Sequence, residues 1–149
     1  VSHRDVALDA ALLVAAINGA AGLYGAYRWL RSESSRRFWI AVRVGQAAAV
    51  AYAALTGVLA LAHWQPSNKL FYLYALLPVA IGFVAEQLRV ISADQVLDSL
   101  GIEDAVAVGR LPADEQQGVV TAILRREMGV MAAAAIVVCF LALRAYGTY

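Results

Sequence analysis

The chain has 149 residues and a net charge of +1, with 62% hydrophobic and 15% charged residues. Typical soluble domains hold about 45–50% apolar and about 25% charged residues. A chain of this size in water could not bury so much apolar surface, whereas a bilayer can solvate it, and the near-zero charge gives no pull toward nucleic acid.

Four stretches reach the roughly 20 mostly apolar residues that a spanning helix needs. They cover about 6–30, 38–62, 70–88 and 128–146. Each is a continuous apolar run rather than an alternating ten-residue strand, so helices are expected. The first run carries Asp5 and Asp9 before it and Arg28 and Arg31 after it, the reverse of a signal peptide. Asn18 lies near its middle and is expected to find a partner on another helix. In the second run Ala41, Gly45, Ala49, Ala53 and Gly57 recur every four residues, a small-residue face for close helix packing. Ala11, Ala15 and Gly19 repeat the pattern in the first run, and Ala132, Ala135, Cys139 and Ala142 in the fourth. Pro78 lies inside the third run and is expected to bend it.

The connections differ in length. "RSESSRR" and "HWQPSNK" are short turns, so the first three helices are expected to run up and down as neighbours. The third connection, about 92–127, reads as a helical cytoplasmic segment. Ser92 and Gln95 form a capping-box pattern, Gly101 a C-terminal stop, and Pro112 a first helical position followed by Asp114 and Glu115. Basic residues set the orientation. Nine of twelve lie in or beside the first and third connections: Arg28, Arg31, Arg36, Arg37, Arg43, Arg89, Arg110, Arg125 and Arg126. Arg4, Lys69 and Arg144 lie on the other side. The positive-inside rule then puts the Arg-rich connections in the cytoplasm and both termini outside.

Chemistry-bearing patterns are few. His3 and His63 fall near one membrane surface, and no His/Cys/Asp/Glu grouping has metal spacing. No cofactor and no catalytic residue are expected. Cys139 stands alone, so no intrachain disulfide is expected. The polar residues inside the runs are more informative. If Ala62 and Leu70 are level across the tight turn, Gln46 comes level with Glu86 and Arg43 with Arg89. Glu86, Arg43, Gln46 and Arg89 are then expected to meet near the cytoplasmic boundary. Such a cluster reads either as a comfortable ion pair or as a proton- or ion-linked carboxylate.

The expected fold is all-α: one integral membrane domain over 1–149, four transmembrane helices in an antiparallel bundle, and a helical cytoplasmic extension between the third and fourth. An Arg- and Ala-rich composition suggests a bacterium, and hence the cell (inner) membrane. The function expected is a non-enzymatic scaffold or accessory subunit, packed in a homo-oligomer or against a membrane-protein partner. The alternative is a small oligomeric transporter or channel using Glu86, Arg43, Gln46, Arg89 and Asn18.

Overall fold

A computed structural model describes residues 1–148. It holds five helices and no strand among those residues: α1 (His3–Leu30), α2 (Arg36–Leu61), α3 (Leu70–Ser99), the single turn α4 (Ala105–Val108) and α5 (Ala113–Thr148). The four long helices are each long and apolar enough to cross a membrane.

Their ends are closed by local chemistry. Ser2 Oγ accepts from Asp5 N while Ser2 N donates to Asp5 Oδ2, both at 3.2 Å, a reciprocal capping box at the start of α1. Ser35 Oγ accepts from Phe38 N at the start of α2, and Asp104 Oδ1 from Ala107 N at the start of α4. At the C-termini, α1, α2 and α3 all finish with a residue in the left-handed region: Ser32 (φ 52°), His63 (φ 62°) and Gly101 (φ 71°). In each case the next N–H reaches back to the last turn, Glu33 to Arg28 O, Trp64 to Leu59 O and Ile102 to Leu97 O. These are Schellman closures that satisfy carbonyls left open by the helix end. Only the third uses glycine, for which the left-handed conformation carries no Cβ clash.

Two expectations about the third connection need correcting. Ser92 does not cap a separate helix; α3 runs through it to Ser99, and Ser92 is buried. No breaker separates Arg89 from Ser92, so continued intrahelical bonds outcompete a side-chain cap, which helps only where the chain leaves the helix. Gln95 instead accepts from Arg126 Nη2 at 2.8 Å. Likewise α5 begins at Ala113, one residue after Pro112, whose carbonyl accepts from Gln116 N at 2.9 Å. Pro78 is buried and α3 continues through it without a break.

Packing follows a seven-residue repeat. The buried positions of α2 are Phe38, Val42, Gly45, Ala49, Tyr52, Thr56 and Leu59, alternating steps of four and three. The same alternation runs through Ala7, Ala11, Val14, Asn18, Ala21 and Gly25 of α1 and Met128, Met131, Ala135, Val138, Ala142 and Ala145 of α5. An average step of 3.5 keeps one seam facing its neighbours along the whole helix. The expected every-four face on α2 behaves differently. Each four-residue step drifts by about 40° around the helix, or about 160° from Ala41 to Gly57. Accordingly Gly45 and Ala49 are buried, Ala41 and Ala53 half-buried, and Gly57 exposed.

In the fold, α1 and α3 both pack along α5, α2 packs on α1 and more sparingly on α3. Two core clusters result. One, near the α2–α3 turn, centres on Tyr52, Phe71, Val138 and alanines of α1 and α5. Tyr52 and Trp64 each meet the Phe71 ring edge-to-face. The other, near the α1–α2 turn, is built from Phe38, Val42, Ala85, Met128, Met131 and Ala132. Arg125 stacks on Trp29 at 4.7 Å beside this cluster, tying the end of α1 to α5.

Candidate functional site

Beside the second cluster lie the ionisable residues of α2 and α3. Arg43 and Gln46 are one turn apart on α2, and Glu86 and Arg89 one turn apart on α3, so each pair points from one helix toward the other. Arg43 Nη1 donates to Glu86 Oε1 and also to Gln46 Oε1 at 2.7 Å. Gln46 Nε2 donates to the same Glu86 oxygen at 3.0 Å. On the far side of the carboxylate, Arg89 Nε and Nη2 both reach Oε2 at 3.1 Å. Glu86 therefore accepts two hydrogen bonds on Oε1 and one on Oε2, with a second Arg89 nitrogen ion-paired to Oε2, so both oxygens are engaged.

Arg89 is shared. Its Nη1 lies 4.0 Å from Glu127 Oε2 on α5, and its guanidinium sits 5.7 Å from the Trp39 ring centroid on α2. The ionic chain thus crosses three helices, with Arg43 and Arg89 balanced by Glu86 and Glu127. Glu127 is absent from the expected cluster. Its signal in the sequence is its place just before the fourth apolar run, at the same boundary as Arg89.

Asn18 stands apart from the ionic chain and joins α1 to α2. Its Nδ2 donates to Val14 O at 3.0 Å and to Gly45 O at 3.3 Å. A Cβ on Gly45 would lie 2.6 Å from Asn18 Oδ1, so the glycine is what lets the amide approach. Beside these groups is a cavity of about 250 Å³, lined by Asn18, Gln46 and Glu86 and otherwise by apolar residues of α2, α3 and α5. Among the described residues no grouping of His, Cys, Asp or Glu could hold a metal ion.

No family model matches the chain, and neither curated proteins nor solved structures gave a match. The class is therefore defined by the fold alone: an all-helical protein with four helices long and apolar enough to span a membrane, compatible with a multi-pass membrane protein. Its interhelical polar contacts include an ionic chain across α2, α3 and α5 and an amide bridge from α1 to α2.

Proposed function

We propose that the chain is a multi-pass protein of a bacterial cell (inner) membrane that works through helix packing, as a non-enzymatic scaffold or accessory subunit. Its four long helices form an antiparallel bundle, with α4 and the adjoining ends of α3 and α5 as a cytoplasmic extension. Arg43, early in α2, meets Glu86, late in α3, while Trp64, just after α2, meets Phe71 at the start of α3, and the two contacts support the up-and-down arrangement. At about 1.5 Å per residue, the 36 residues of α5 exceed a bilayer core of about 30 Å, which supports the extension. The Arg-rich connections favour a cytoplasmic location for that end.

The observation that carries the reading is that both oxygens of Glu86 are engaged by neighbouring side chains. Transport coupled to a carboxylate needs an oxygen that can exchange a proton or an ion. Here both oxygens are held by Arg43, Gln46 and Arg89, so the group serves as a tie between α2 and α3. A partner or second copy would cover α2 and α3, whose apolar stretches are 28% and 22% buried, against 39% in α1 and α5.

The test is proton flux in proteoliposomes. The wild-type chain and Glu86→Gln should both leak no faster than protein-free liposomes. A flux present in the wild type and lost in Glu86→Gln would overturn the reading in favour of transport.

A further inference from the structure

We propose that the cavity beside Glu86 binds a neutral, lipid-soluble molecule carrying a hydroxyl on an apolar body. The proposal rests on the bilayer placement of the bundle and adds a ligand to it.

The cavity exists because side chains are missing. Gly82 occupies a core position of the seven-residue repeat between the buried Pro78 and Ala85. A Cβ there would meet nothing within 4 Å, unlike the crowded Gly45. Ala49 of α2 and Ala135 of α5 complete small-residue walls. The space, about 250 Å³, exceeds the roughly 150 Å³ apolar cavity that takes benzene, so a ring with a short tail fits. Val50, Val79 and Phe83 line it yet are 55%, 37% and 67% exposed, so the cavity opens sideways between α2 and α3. For the single chain in a bilayer, before any partner covers α2 and α3, that opening faces lipid.

The polar wall sets the chemistry. Asn18 is 4% exposed, and its Nδ2 is spent on two carbonyls, while its Oδ1 accepts no hydrogen bond among the described residues. Gln46 uses one N–H of its Nε2 on Glu86 and keeps the second. Asn18 is bonded to Gly45, the residue before Gln46, so a spare acceptor and a spare donor lie at one level of the cavity. A hydroxyl, which donates and accepts, matches that pair. Charge selects against ions. Both oxygens of Glu86 are engaged, and two arginines face two carboxylates along the chain Arg43–Glu86–Arg89–Glu127. An anionic lipid headgroup would find no net positive charge there, and a bare acyl chain would leave Asn18 Oδ1 unpaired.

The test uses the full chain in lipid nanodiscs, with 4-pentylphenol and pentylbenzene as probes in equilibrium dialysis and protein-free nanodiscs as the control. Nanodisc incorporation is scored first, so failure of the membrane reading is seen separately from failure to bind. Pentylphenol should bind saturably above the control, with pentylbenzene weaker by about tenfold, the worth of one buried hydrogen bond. Gly82→Leu should abolish saturable binding of both probes by filling the cavity. Asn18→Ala should reduce pentylphenol to the level of pentylbenzene. Non-saturable uptake equal to the control, unchanged binding in Gly82→Leu, or equal affinity for the two probes in the wild type would each overturn the proposal.

Discussion

Gly22→Val is expected to destabilise the protein by about 3 kcal/mol, the upper end of what overpacking costs. A Cβ at Gly22 would lie 2.6 Å from Ile136 Cγ1, 3.0 Å from Ile136 N and 3.1 Å from Ala132 O. The first neighbour is a side chain that can turn. The other two are backbone atoms of α5, and they move only if the helix moves. Relief therefore requires α1 and α5 to separate along an extensive helix pair of the fold. In a bilayer that loss is not offset elsewhere, because lipid is as apolar as the side chains and close packing itself supplies the association energy. Gly57→Val is the control, since a Cβ there meets nothing within 4 Å. Denaturant titration in mixed micelles should show the first variant strongly shifted and the second near wild type. Equal shifts would mean that α1 and α5 do not rely on close approach at Gly22.

The second large effect is expected at Glu86. Removing it in Glu86→Ala leaves Arg43 and Arg89 facing each other across α2 and α3 with their shared acceptor gone. Hydrogen bonds to charged groups contribute about 1.5–3 kcal/mol each where buried. Side-chain exposures of 53% for Arg43 and 27% for Glu86 argue for the lower part of that range, because solvent screens the pair. A loss of about 2 kcal/mol is expected. In a double-mutant cycle with Arg43→Ala, the combined loss should be smaller than the sum of the two single losses. Strict additivity would mean that the contact between Arg43 and Glu86 contributes nothing to holding α2 against α3.

The reasons these features were or were not legible in the sequence are physical. Four long apolar runs are a local property of the chain, and each corresponds to a helix long enough to span. The meeting of Gln46 and Glu86 followed from a tight turn and a constant rise per residue, because a short connection fixes the relative depth of two helices. The junction after Leu88 is not legible locally, because Ser92 and Gln95 have the right spacing for a cap. Whether they act as one depends on whether the chain leaves the helix, and nothing between Arg89 and Ser92 makes it do so. The every-four stripe on α2 was a fair guide to Gly45 and Ala49 but not to Gly57, since the packed seam follows steps of four and three. Glu127 and the cavity at Gly82 were hidden for another reason. Each depends on three helices converging, and no single segment records where the third one lies.

The central claim is a four-span protein with the Arg-rich connections on one side and the α2–α3 turn with both chain ends on the other. Single cysteines at Ser2, Ser67, Ser34 and Glu103, in a Cys139→Ala background, test it with a membrane-impermeant thiol reagent on intact bacterial cells. Ser2→Cys and Ser67→Cys should label directly, and Ser34→Cys and Glu103→Cys only after the membrane is opened. Labelling of Ser34→Cys and Glu103→Cys in intact cells, or of Ser2→Cys and Ser67→Cys on opposite sides, would contradict it.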